Sequence, residues 1–273
     1  MRRFHADTGA DRAGRRRHAR YPRHRLRTSI GRETQDGVGM STGPQPLDPG
    51  IRRRIADSFL PDRWLYWYAR SKLGSDPLYG GVAEALRDTR APLLDIGCGI
   101  GLLVHALRAC GVDLEYTGVD NDGGKVEQGR LAIARTQLPH ARLMAVDATA
   151  GLPHHRGSVT LLDVLQFLPP EAQSPLLADV AARVSQEGRL VIRTGLADGN
   201  WRSHVTRGVD VLSRWLRWMN AGPTRYPGRD ALAAELSSHG LTATFTPLWG
   251  RTPFNNWLVV ASRQSSGSGT TVR

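Results

Sequence analysis

Leu93-Leu94-Asp95-Ile96-Gly97-Cys98-Gly99-Ile100-Gly101 is the stretch from which the rest of this 273-residue chain can be read. Pro92 to Ile96 has the length and apolar content of a buried strand, and Leu102 to Cys110 has those of a helix. Glycines between them let the backbone turn sharply, approach a ligand closely and present free helix N–H groups to it. A dinucleotide fingerprint would want a glycine at position 102, which is Leu102, and would not place the anion Asp95 where a pyrophosphate must sit. The ligand expected at this loop has no phosphate and carries a positive charge.

Outward from the loop, strands alternate with helices. Tyr116 to Val119, Arg142 to Val146, Ser158 to Leu162 and Arg189 to Ile192 read as strands, with helices through Ala134 and over Pro175 to Val184 between them. This alternation predicts a parallel sheet with helices on both faces, an α/β doubly wound fold. Leu241 to Leu248 and Asn256 to Ala261 follow as an antiparallel hairpin. Before the alternation, the spacing predicts two helices between Ile51 and Leu73, broken near Pro61, and a third over Gly81 to Arg87. A helix from about Trp201 to Met219 interrupts the regular pattern late in the chain.

Two more acids stand at the ends of the next predicted strands, Asp120 in Gly118-Val119-Asp120 and Asp147 in Ala145-Val146-Asp147-Ala148. In an open parallel sheet the ligand crevice lies outside the carboxyl ends of the strands, so Asp95, Asp120 and Asp147 are expected to line one cleft. Either of the last two taken singly would read as a helix cap or turn carboxylate. With the glycine loop they resemble the cofactor site of the class I S-adenosylmethionine-dependent methyltransferases, over roughly Leu73 to Ser262.

That resemblance implies a Rossmann-like, mostly parallel seven-stranded sheet with S-adenosyl-L-methionine as cofactor. It implies that Asp95 holds the methionine ammonium directly or through water, and that Gly97, Gly99 and Gly101 pass beneath the cofactor. Asp120 would take the ribose hydroxyls and Asp147 the adenine amino group beside the Ala148 backbone, with Leu102, Asn121 and Asp122 packed on the adenosine. Leu162-Asp163-Val164-Leu165-Gln166-Phe167-Leu168-Pro169 resembles the Asp-Val-Leu-His-His-Leu motif of small-molecule methyltransferases, with Gln166 in place of the first histidine. The Asn/Asp-Pro-Pro-Tyr/Phe motif of enzymes acting on nucleobase nitrogens is missing at this place.

Methyl transfer from a sulfonium needs alignment and exclusion of water more than a covalent nucleophile. Asp163 is the candidate general base, with a cap or cofactor contact as its alternative role. Specificity is expected in the aromatic and basic segments that depart from the common sheet. These are a helical lid containing Tyr66, Arg70 and Lys72, where Arg70 or Lys72 would meet a carboxylate, and the helical insertion containing Trp201 and Trp215. Arg207, Arg214 and Arg217 give the insertion a basic amphipathic surface suited to an acidic carrier protein or a peripheral membrane contact, or simply a solvated face. Ala69-Arg70-Ser71-Lys72-Leu73, Asp76-Pro77-Leu78-Tyr79 and Gly250 to Trp257 are similar, less specifically, to methyltransferases of bacterial aryl polyene pathways, which places the chain in bacterial secondary metabolism. The implied acceptor is a small molecule or a carrier-bound aromatic or acyl group. The rival readings are an RNA or protein methyltransferase and a cofactor-binding regulatory or scaffolding protein without turnover.

The net charge of +12 invites a nucleic-acid partner. Its distribution argues against one: residues 1–39 hold eleven arginines against four acids, so +7 of the total lies in a segment without apolar periodicity. We expect that translation begins at Met40 and that this leader carries no function; the alternative is a disordered basic arm. Two cysteines supply neither a disulfide framework nor a metal site, so a cytoplasmic, metal-free protein is expected. No apolar run approaches the length needed to span a bilayer. The organisation expected is a disordered leader over 1–50, a lid over 51–90, a methyltransferase domain over 91–262 with its insertion at 201–222, and a disordered tail over 263–273.

Overall fold

The computed structural model describes residues 44–148, 150–196, 226–248 and 255–264. Residues 1–43 of the leader with the proposed start, the insertion with Trp201 and Trp215, the link 249–254 and nearly all of the tail lie outside the described residues.

The glycine loop leaves β1 (Leu93–Ile96), which is flanked on both sides by parallel strands and is buried at all four positions. Such a strand needs a continuous apolar run rather than an alternating one, which is how Leu93-Leu94-Asp95-Ile96 reads apart from its acid. To one side lie β2 (Tyr116–Asp120) and β3 (Ala141–Ala145). To the other lie β4 (Ser158–Leu162) and β5 (Leu190–Gly195), followed by the antiparallel β7 (Asn256–Arg263) and β6 (Leu241–Pro247). The order is β3-β2-β1-β4-β5-β7-β6, seven strands, with the first five parallel. The fold class, the parallel sheet and the terminal hairpin are as the sequence predicts. β7 runs two residues past Ala261 because the Arg263 guanidinium donates to the carbonyls of Val184 (2.9 Å) and Ala181 (2.9 Å).

Helices cover both faces. On one face α1 (Pro49–Asp57), α2 (Arg63–Ser75), α3 (Leu78–Ala85), α4 (Leu102–Ala109) and α5 (Gly123–Thr136) bury Phe59, Leu73, Leu86, Leu107 and Tyr116. On the other, α6 (Pro170–Arg183) and α7 (Arg229–Ser238) bury Leu94, Ile96, Val180 and Leu236. The break near Pro61 falls as expected: Asp62 caps α2 by accepting from the N–H groups of Trp64 (2.9 Å) and Leu65 (3.0 Å). α3 begins three residues before the predicted Gly81, because the Asp76 carboxylate accepts from the Leu78 N–H at 3.0 Å. α6 begins five residues before Pro175: Pro170 takes the first position, where a proline is tolerated, and Pro175 lies inside the helix, where it forfeits one backbone hydrogen bond.

The chain order of the parallel strands reverses at β1, between its neighbours β2 and β4. This switch point opens a crevice at the carboxyl ends, where the glycine loop, Asp120 and Asp163 all emerge. α2 and α3 border the same end of the sheet through the contacts described next.

Candidate active site

The loop is built on three left-handed glycines, Gly97 (φ +77°), Gly99 (φ +55°) and Gly101 (φ +74°), a conformation that other residues adopt only with strain. Their roles differ. A Cβ at Gly97 would stand 2.5 Å from Cγ2 of Val164, so that glycine serves packing against the end of β4. A Cβ at Gly99 would meet no atom within 4 Å, so this glycine alone of the three faces open space. Gly118 on β2 has the same packing duty as Gly97, because a Cβ there would meet the Cys98 side chain at 2.9 Å.

Asp120 braces the loop from β2. One carboxylate oxygen accepts from the Gly99 N–H at 2.8 Å and the other from the Asp122 N–H at 2.9 Å. Each oxygen keeps a second lone pair, so the carboxylate can still take two hydroxyls from the cleft. Asp122 caps α5 through Gly124 (3.0 Å) and Lys125 (3.1 Å), and burial apart, those bonds and the Lys125 ammonium hold its carboxyl below the usual range. Asn121 is exposed beside it. The Val146 N–H donates to the Asp120 carbonyl at 2.9 Å, tying the end of β3 to the end of β2, and Asp147 follows at the exposed edge with Ala148 half-buried behind it. Three of the residues expected at the cofactor, Gly99, Asp120 and Asp147, are therefore brought to one rim.

Two are placed differently. Asp95 is 2% exposed and lies beneath the loop, accepting from the Tyr116 hydroxyl at 2.5 Å and the Thr160 hydroxyl at 2.7 Å. Burial outweighs these two bonds and pushes its carboxyl up to about 6. Asp95 thus supports the loop from one layer down. Leu102 opens α4 and is buried in the core beneath the loop.

Asp163 has an unexpected setting. It follows β4 in a left-handed conformation (φ +61°) that Asp tolerates better than most residues. Its carboxylate is ion-paired to Arg193 on β5, stands 3.8 Å from the Lys72 ammonium and accepts from the Gln166 amide at 3.3 Å. Arg193 also pairs with Asp76 at 3.2 Å, and Lys72 with Asp76 at 3.3 Å. Two cations and two carboxylates form a charge-balanced quartet joining α2 to the ends of β4 and β5. Asp163 as an unencumbered general base is corrected accordingly: a carboxylate held by a buried guanidinium organises the site. The same network corrects Lys72, whose charge is spent inside the protein.

Arg70 and Tyr66 belong to the opposite side of α2. Arg70 donates to the Tyr66 hydroxyl at 3.2 Å and lies 5.9 Å from the Trp67 ring centre, because residues two apart on a helix do not share a face. The face toward the cleft carries Tyr68 instead. Trp64 stacks on it at 5.5 Å with rings 7° from parallel, and burial first, then Asp163, Asp76 and Asp120, push its phenol up and keep it a neutral donor. The ring of Tyr226 lies against Gly195, and its phenol is raised by burial and by Asp163. Sequence reading missed Arg193, Asp76, Tyr68, Tyr116 and Thr160. One signal was available: Leu190-Val191-Ile192-Arg193-Thr194 carries a charge inside an apolar strand, and a charge there is buried only when paired. Among the described residues no group of side chains could hold a metal ion.

Residues 93–188 match a family described as a methyltransferase domain. A carboxy-S-adenosyl-L-methionine synthase from a Geobacter species is 28% identical over 107 residues, 38% of this chain and 44% of that protein, so the chain spans less than half the length of the curated relative it matches. The magnesium protoporphyrin IX methyltransferase of Synechocystis, solved with bound S-adenosyl-L-homocysteine, superposes with a TM-score of 0.56 at 19% identity over 80% of this chain and all of that one. An O-methyltransferase from neocarzinostatin biosynthesis, solved with S-adenosyl-L-homocysteine and 1,4-dihydroxy-2-naphthoic acid, gives 0.54 at 20% identity over 77% of this chain and 60% of that one. An O-methyltransferase family 2 protein from Planctomyces limnophilus, in complex with apigenin, gives 0.56 at 16% identity over 77% and 62%. The methyltransferase-domain match over residues 93–188 thus falls on the part of the sheet that carries the glycine loop and the carboxylates after β2 and β3.

Proposed function

We propose that this chain transfers a methyl group from S-adenosyl-L-methionine to a small-molecule or carrier-bound aromatic or acyl acceptor. The observation that carries the reading is the position of Tyr68. Stacked by Trp64, it sets a neutral phenol on a buried aromatic ring within electrostatic reach of Asp163, Asp76 and Asp120. The cofactor supplies an activated methyl on a sulfonium, so the protein has to align the acceptor and keep water out. Asp120 and Asp147 hold the nucleoside, and Gly99 provides the room above the loop. Asp163 is a positioning residue: Arg193 and Gln166 fix its carboxylate as an acceptor for an O–H or N–H of the substrate. Gln166, where related motifs have histidine, accepts from Thr194 at 3.3 Å and is a structural bridge.

Small aromatic ligands in the neocarzinostatin and Planctomyces structures support this acceptor class. The test is incubation with deuteromethyl-labelled cofactor and a panel of phenols, aromatic acids, acyl thioesters, RNA and protein, read by mass spectrometry. Label in an aromatic or acyl acceptor is expected; label in RNA or protein alone would overturn the reading.

A further inference from the structure

The outer face of the lid holds cations that no part of the site uses. Arg52 on α1 and Arg70 on α2 face a groove of about 430 Å³ whose walls are completed by Pro49, Trp67, Ser71 and Ser75. The groove has no acid in its lining, and among the described residues neither guanidinium has a carboxylate within ion-pair distance. Gly74 makes its floor: a Cβ there would collide with the Arg52 guanidinium, so the glycine lets that head lie flat against α2. The Arg52 Nε is buried with no hydrogen-bond partner among the described residues. Two preformed guanidiniums with nearby hydroxyls and an unspent donor suit a tetrahedral oxyanion such as phosphate.

The surroundings decide where that phosphate comes from. Leu60 is 40% exposed and Trp64 and Trp67 are each 57% exposed, all along the α1–α2 edge, with Trp67 belonging to the groove itself. Exposed Arg53, Arg54 and Arg63 surround them. Residues 49–75 carry five arginines and Lys72 against only Asp57 and Asp62. Tryptophans with arginines on one surface are the composition of a protein face that rests at the headgroup level of a membrane, each cation near an anionic leaflet contributing ~1 kcal/mol. A soluble phosphate compound would leave the apolar strip unexplained.

We propose that the outer face of α1 and α2 docks on anionic phospholipid, with a lipid phosphate between Arg52 and Arg70 and with Trp64, Trp67 and Leu60 seated among the headgroups. This surface adjoins the cleft at Trp64, whose ring stacks on Tyr68, while the groove of Arg52, Trp67 and Arg70 lies on the side of α2 away from Lys72. The test is co-sedimentation of the full chain with vesicles of mixed phosphatidylglycerol and phosphatidylcholine, and with phosphatidylcholine alone, for the parent and for Arg52→Ala/Trp67→Ala. Parent and variant carry the same residues 1–43, so a difference between them reports the groove. The parent should bind the anionic vesicles alone, and the variant should bind about tenfold more weakly, with S-adenosylhomocysteine affinity unchanged. A second pair, the parent and Trp64→Phe/Trp67→Phe, is compared for tryptophan quenching by brominated lipid, where the conservative variant should lose most of the quenching. Equal vesicle binding by parent and variant overturns the proposal. So does protection of the groove by inorganic phosphate or an RNA oligonucleotide without any vesicle binding, as does quenching that is unchanged in the phenylalanine variant.

Discussion

His105→Leu should make the protein more stable and less sensitive to acid. His105 lies on α4 where α1 packs across it, fully buried against Phe59 at 5.6 Å, and neither ring nitrogen has a partner among the described residues. Burial, with a smaller push from Arg108, lowers its imidazole from the ordinary 6.5 to about 3. The fold therefore keeps the neutral ring. The resulting stability is fully present above pH 6.5 and is lost as the pH falls toward 3, because the unfolded chain binds a proton that the folded chain refuses. Between pH 7 and pH 5 the linkage removes about 2 kcal/mol, from 1.36 kcal/mol per pH unit over roughly a unit and a half. Asp95 acts in the opposite sense: with its carboxyl raised to about 6, its contribution is fully present below pH 3.8 and is lost as the pH rises through 6. That term is common to parent and variant and cancels between them. Urea unfolding of both proteins at pH 7 and pH 5 gives the four values needed. At pH 7 the variant should gain about 1–3 kcal/mol by shedding two unsatisfied buried nitrogens at similar volume. Across the pH interval the parent should lose about 2 kcal/mol more than the variant. An equal loss in the two proteins would refute the reasoning, since it would mean that the buried ring titrates normally or is exposed by local opening.

Asp120→Ala removes the proposed acceptor for the ribose hydroxyls and the brace on the Gly99 N–H together, and calorimetry with S-adenosylhomocysteine should show at least a tenfold loss of affinity, about 1.5–3 kcal/mol. Gly97→Ala and Gly99→Ala should separate by phenotype. Both strain a left-handed backbone, but the first also clashes with Val164 and lowers the thermal midpoint further, while the second meets open space and differs chiefly in lowering cofactor affinity. Arg193→Met leaves the buried Asp76 and the half-buried Asp163 with Lys72 as their remaining cation among the described residues and should cost about 3 kcal/mol in denaturant unfolding; the accompanying substitution of both acids by Asn should restore much of it.

The glycine loop was legible because local chemistry and position coincide there. Three left-handed turns demand glycine whatever surrounds them, and an acid ending each of two successive strands can be counted in one dimension. The period of the apolar positions likewise gave the strand-helix alternation, and from it the order of layers. Asp95 shows where such reading stops. Its letter is that of a ligand residue, yet register sets Thr160 beside it and Tyr116 beneath the same loop, and those two hydroxyls turn the carboxylate inward. The burial of Leu102 was hidden for a related reason, since the first residue of a helix can face the cleft or the core depending on how that helix lands on the sheet.

The sequence by itself determined the α/β fold, the glycine loop and the carboxylates of the cofactor crevice, because each depends on backbone conformation or on periodicity along a few residues. Only the tertiary structure decided what the charges do. Lys72, Asp76, Asp163 and Arg193 are up to 121 positions apart in number and meet at one point because α2, β4 and β5 converge. The two faces of α2 then divide Lys72 and Tyr68 from Arg70 and Trp67. Electrostatic pairing depends on distance in space and on burial, and neither quantity is written in a linear spacing.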